Sequence, residues 1–439
     1  MTTTQTNSSA QSFIQLGVNR RVGLLSILGS AIALAGCGGG GSGAGATPGA
    51  ANADAGGGQV AGVSSGGTGA SSVAAGSITG FGSIVINSNG VRIDDSTASV
   101  RDDDGNDLRG KLKLGMVVTV AGVSLSGAGA SASSIQVGGE LVGRVAGAPN
   151  ATAKTFVVLG QTVKVTGSTV FDLSLPNGFT SLANDTVVEV HGFYDAATNS
   201  VTATYIERKN SPSLFRIEGL VSDVDLVAKK FSIGSTRINY SSASDVRVVP
   251  VNGALIRVRL SAVLPPAALP AEWTATRVRA PESLGDSIGS GGNSTSTREA
   301  EIEGTISAFT SATRFTVNGT VIDATAAVFE NGTTGLALGV RVEVKGRLSA
   351  AGVLVAQRVK IEDDNKLEVR EFEVSGSVSN VTASTFEVRG VKVNYSASTE
   401  FRKGTVTNLV NGAKVEVKGV AASSASGSTV VNATRISFE

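Results

Sequence analysis

Asp102-Asp103-Asp104-Gly105-Asn106-Asp107 is the densest run of hard oxygen donors in the chain. Oxygens at this density suit calcium, with Asp102, Asp104, Asn106 and Asp107 as candidate ligands. The spacing departs from an EF-hand loop. The glycine stands fourth rather than sixth, and the twelfth place from Asp102 is Lys113 rather than glutamate. The same residues also make a polar hairpin loop turning at Gly105-Asn106, and that is the expected reading.

The other residues able to do chemistry are isolated. His191 is the chain's one histidine, and Cys37 its one cysteine. A zinc site or a Ser-His pair needs partners that no nearby residue supplies. With Val188 and Val190 turned inward on a strand, His191 should face out beside Glu189 as a surface histidine. Glu189, Glu343 and Glu416 recur at one strand position. A glycosidase needs two carboxylates across one cleft, whereas one per repeat, flanked by lysines, reads as a solvated strand face. Trp273 falls at an apolar strand position and should pack in the core. No catalytic group, cofactor site or firm metal site is expected, and the chain reads as a non-enzyme.

Cys37 has a context of its own. Arg20-Arg21 precede a thirteen-residue apolar stretch, Val22 to Leu34. That is too short for a membrane span of about 20 residues but suits an export signal. Leu34-Ala35-Gly36-Cys37 resembles the lipobox of bacterial lipoproteins. The resemblance implies cleavage before Cys37 and acylation of its thiol and amine with palmitate-type chains. Each buried CH₂ adds roughly 0.8 kcal/mol, and more than one chain is needed for stable anchoring. Glycine rather than aspartate at position 38 implies the outer membrane, on its periplasmic or surface face. Asn19 to Leu25 partly resembles a twin-arginine signal but lacks its Ser/Thr and Phe, which leaves the export route open.

Lys and Arg total 37 against 36 Asp and Glu, so no basic field exists to hold nucleic acid. From Gly38 to Ala75 the chain is nearly all Gly, Ala, Ser and Thr, and cannot bury a core. It reads as a flexible tether spanning roughly 35 Å, from about 5–6 Å × √38.

The elements that must position these residues repeat. A glycine-centred strand appears at Ile217 to Val221 and Ile302 to Ile306, with variants at Leu141 to Val145, Val374 to Val378 and, weakest, Gly76 to Ile78. A second strand and tight turn follow, as in Phe315 to Gly319 and Phe386 to Gly390. A short piece such as Ser398 to Phe401 comes next. The fourth strand is the clearest signal: Gly339 to Gly346, Gly412 to Gly419, Gly115 to Gly122 and Asp185 to Gly192, with Gly253 to Leu260 losing the second glycine. The fifth carries Ala-x-x-Ile/Val, as at Ala203 with Ile206.

The expected fold class is therefore all-β: about five tandem, small, five-stranded OB-like barrels, with a small sandwich as the alternative. The expected organisation is a signal peptide over 1–36, a lipidated tether over 37–75, and β-domains over 76–139, 140–210, 216–280, 300–363 and 372–439. The Gly/Ser/Thr-rich stretch 281–299 should be a loose linker separating three domains from two. A Pro-rich insertion, Leu264 to Pro270, is the expected specialised loop. The pattern resembles a domain of unknown function that recurs in tandem in bacterial exported lipoproteins, the DUF family numbered fifty-six sixty-six. That family label implies an architecture and no activity.

The function expected is a membrane-tethered envelope scaffold or binding protein with a protein or glycan ligand. Its oligomeric state is left open. An envelope hydrolase, or an accessory subunit of an outer-membrane assembly, is the alternative.

Overall fold

The structure, a computed structural model, describes residues 72–87, 92–124, 130–265, 271–286, 298–362, 370–423 and 429–439. The export signal, Cys37 and nearly all of the tether lie outside the described residues. Among those described, the chain is all-β, broken only by 3-10 turns at Gly178–Ser181 and Val406–Asn408.

Each copy runs through the same circuit of pairings. In copy five the first strand (Glu371–Ser379) pairs antiparallel with the second (Thr385–Val388), and the second with the third (Val391–Asn394). The third lies parallel to the fifth (Thr429–Phe438). The fifth pairs antiparallel with the fourth (Lys414–Ser423), which returns to the first. A short strand, Glu400–Arg402, adds parallel to the fifth. The third strand is an addition to the expected set of five pieces.

Alternation builds the interior. Val415 and Val417 on the fourth strand and Ile436 on the fifth are fully buried, as is Phe386 on the second. A buried side chain of this size contributes about 1.5–3 kcal/mol. The second glycine of the fourth strand marks a β-bulge, where the register slips at His191/Gly192, Lys345/Gly346 and Lys418/Gly419. A Cβ on Gly192, Gly346 or Gly419 would come within 2.1–2.3 Å of a fifth-strand carbonyl oxygen. Copy three keeps the slip at Arg259/Leu260, and there Leu260 is buried in place of glycine.

Hydrogen-bonded sheets run through several copies, in the manner of a solenoid. Eighteen strands of copies one, four and five share one sheet, and eleven of copies two and three share another. The expectation of separate OB-like barrels in tandem is corrected in this respect. So is the division into a leading three and a trailing two. The first strand of copy one (Ser72–Phe81) explains it. Its first half lies parallel to the first strand of copy four, with Val73 opposite Ala300. Its second half lies parallel to that of copy five, with Phe81 opposite Val374. This strand begins at Ser72, inside the span read as tether.

The cores follow the sheets. One joins copies one and five (Ile78, Ile135, Phe372, Phe386), and another joins copies two and three (Leu141, Val190, Phe215, Val258). The core of copy four takes in Val73 and Ala75 of copy one. It also takes in Leu284, 1% exposed, from the stretch expected to be a loose linker.

Candidate functional site

The charged residues gather where copies one, two and three meet. The fourth strand of copy three (Leu255–Ser261) turns Ile256, Val258 and Leu260 inward, so Arg257 and Arg259 stand on its outer face. Register then aligns like with like. Arg257 lies opposite Arg279 and Arg259 opposite Arg277 on the fifth strand (Glu272–Arg279). On the first strand (Leu214–Asp225), Arg216 lies opposite Arg259, and Glu218 opposite Arg257.

The acidic loop of copy one closes on this arginine face. Asp103 Oδ2 lies 2.9 Å from Arg257 Nη1 and 3.5 Å from Arg216 Nε. Asp104 contacts Arg259, and is 3.8 Å from Arg216. The Gly139 carbonyl between copies one and two accepts from Arg257 Nη2 at 2.7 Å and Arg216 Nη1 at 3.2 Å. Burial raises the Asp103 carboxyl, but Arg257 and Arg216 outweigh it and hold it below the usual range. The far edge is closed by Asp245, which meets Arg279 Nη2 at 2.6 Å, Arg247 Nε at 2.9 Å and Arg277 Nε at 3.0 Å.

Two cavities adjoin the face. The larger, about 60 Å³, lies between copies one to four and is lined in part by Glu140, Glu218, Arg257, Glu282 and Glu303. Burial and the neighbouring Glu218 push the Glu140 carboxyl up to about 8. Burial likewise raises the Glu218 carboxyl. The smaller, about 20 Å³, is lined by Asp103, Glu282, Ala280 and the five arginines 216, 257, 259, 277 and 279.

His191 is not on the surface. It is 1% exposed, because copy one covers the outer face of the fourth strand of copy two. The Val117 amide donates to its Nδ1 at 3.4 Å, and its ring meets Tyr205 edge-on at 5.6 Å. Burial pushes the imidazole pKa down. Glu189 Oε1, 3.7 Å from His191 Nε2, also meets Arg216 at 3.6 Å; Lys209 lies 2.8 Å from Glu189 Oε2. Burial raises the Glu189 carboxyl, but the neighbouring His191, Lys209 and Arg216 bring it down to about 2.

The solvated-face reading therefore fails for two of the three equivalent glutamates. Glu189 is buried against Arg216 of copy three and Glu343 is buried beside Lys345 of its own copy, while Glu416 keeps about a third of its side chain exposed.

The calcium candidates do not converge. Asp102 accepts from the amides of Asp104 (2.9 Å) and Asn106 (2.8 Å) and from Asn106 Nδ2 (2.8 Å). Asp107 accepts from the Arg109 amide, and Asp104 is turned onto Arg259. Among the described residues, no group of three or more His, Cys, Asp or Glu is placed to hold a metal ion. Trp273 packs against the core as expected, 5.6 Å from the Phe215 ring. Most of the Pro-rich insertion lies outside the described residues. Sequence reasoning missed the arginine face. Its signal was Ile256-Arg257-Val258-Arg259-Leu260, which lacks the acid carried by the fourth strands of copies two, four and five.

A family model described as Domain of unknown function (DUF5666) matches residues 73–136, 142–207, 303–360 and 375–437. The third-copy strands between 214 and 279 fall outside those segments. No curated protein matches the chain. The match occupies more than half of the sequence in four tandem stretches, and on it the chain belongs to the DUF5666 family of domains of unknown function.

Proposed function

We propose that this chain is a non-catalytic scaffold or binding protein of the cell envelope. It is held at the outer membrane by lipid on Cys37, after removal of residues 1–36, and it presents jointed β-repeats beyond a flexible tether. The observation that carries the non-catalytic reading is the fate of its reactive side chains. His191, Glu189, Asp103 and Asp104 are all engaged in joints between copies.

The hydrolase alternative gains no support from the buried acids, which are held by arginines: Glu218 lies 3.1 Å from Arg257 and Glu303 2.6 Å from Arg341.

The repeated circuit, continued through sheets shared between copies in the manner of a solenoid, presents extended strand faces and loops, and such surfaces favour a protein or glycan ligand.

The test is fractionation and protease accessibility in intact cells, comparing wild type with Cys37→Ser. Membrane-bound wild type and released variant are expected. Digestion from outside assigns a surface binding role. Protection until the outer membrane is opened assigns a periplasmic one, including a subunit of an outer-membrane assembly. Unchanged attachment of Cys37→Ser overturns the anchor.

A further inference from the structure

We propose that copy three binds an oxyanion of the phosphate or sulfate class between the guanidinium groups of Arg259, Arg277 and Arg279. This deepens the binding reading by naming a ligand chemistry.

Like charges directly opposite across a β-ladder are destabilising, yet copy three sets Arg257 opposite Arg279 and Arg259 opposite Arg277. The equivalent fourth strands set a glutamate between their two cations, as Arg341-Glu343-Lys345 and Lys414-Glu416-Lys418 do. In copy three the acid is replaced by arginine. The resulting cavity is lined by five guanidinium groups and two carboxyls, Asp103 and Glu282. Asp104 and Asp245 touch the arginines from the rim.

Each guanidinium carries five N–H donors in a planar fork that matches tetrahedral oxyanions. The neighbouring carboxylates and the Gly139 carbonyl do not use up the donors of five such forks. The cavity, about 20 Å³, takes one oxygen corner of an anion. The remainder lies toward Arg277 and Arg279, whose side chains keep about a quarter of their surface exposed. Asp245 competes for the same donors, since it pairs with Arg277 at 3.0 Å and Arg279 at 2.6 Å.

The experiment is isothermal titration of the full chain with inorganic sulfate and phosphate at matched ionic strength. A sulfated oligosaccharide is titrated in parallel to separate a free anion from one carried on a glycan. Saturable binding is expected, weakened at least tenfold in the Arg277→Gln/Arg279→Gln double variant. It should be unchanged in Arg402→Gln, a remote arginine paired with Glu400. Asp245→Asn keeps every arginine, removes the competitor, and should tighten binding. Absence of saturable heat in wild type overturns the site, as does equal affinity in wild type and double variant, or weaker binding in Asp245→Asn. The anchor test on Cys37 is independent of these titrations, so failure here leaves the scaffold reading standing.

Discussion

The fourth strands of copies three and five share one register, one bulge and one alternation, and differ in what lies outside them. On copy five, Glu416 and Lys418 keep about a third of their side chains in water; Lys418 pairs with Glu373 at 3.1 Å. On copy three, Arg257 is 14% exposed and is wedged between Asp103 and Glu218. The same outward position meets copy one in both cases, but as a half-exposed pair with Arg92 (3.3 Å) in copy five and as a buried joint in copy three. A repeat thus specifies which side chains face away from its own core, and the neighbouring copy decides whether they meet water.

The contrast can be broken or sharpened by substitution. Arg257→Ala leaves Asp103, Glu218 and Glu140 around an empty place, and removing one partner of a buried pair costs about 3–5 kcal/mol. Urea unfolding should record that loss; a change under about 1 kcal/mol would make the joint no different from the surface of copy five. His191→Ala should cost about 2 kcal/mol, through lost ring packing on Tyr205 and the unmet Val117 amide. A surface histidine would cost less than about 0.5 kcal/mol.

The third effect follows pH. Glu140 holds a proton to about 8 in the folded chain, whereas the unfolded chain releases it near the ordinary carboxyl value of 4.5. The folded state therefore binds more protons between those limits, and stability falls as pH rises through that window. The slope for one proton is at most about 1.4 kcal/mol per pH unit. Glu140→Gln should flatten it, and an unchanged slope would place the responsible group elsewhere. Glu189 works in the opposite sense: its stabilisation, present above the unfolded value of 4.5, is lost as pH falls toward 2. The smallest effect belongs to copy five, where Lys418→Ala should shift stability by about 0.5 kcal/mol or less, with added salt erasing the difference.

Much of the local structure was legible in the residues. The alternation that places Val188 and Val190 inward holds, since both are fully buried. The glycine steps mark bulges because a side chain there would strike the next strand, as at Gly419. Short elements were harder. Thr320–Asp323 is a four-residue strand directly after a tight turn, too brief to show a period. The joints were not legible at all. Period two separates inside from outside for His191 and Glu189, but a second copy lying over that outside leaves no mark in the local pattern. The arginine face was visible as composition only, because its acid partners Asp103 and Asp104 come from a loop more than a hundred residues upstream.

The placement of Ser72–Phe81 between the first strands of copies four and five sets a clock. A chain made from its N-terminus at about 5–20 residues per second completes Ala300, the partner of Val73, on the order of 10–50 s after Val73 itself. Through that interval the earliest strand has its partners within copy one but lacks those of copies four and five, and it shows an unpaired edge, the kind of surface on which chains aggregate. Copies two and three, which share a sheet with each other alone, can close while copy one waits. The order of completion therefore departs from the order of synthesis: the strand made first is among the last to be satisfied.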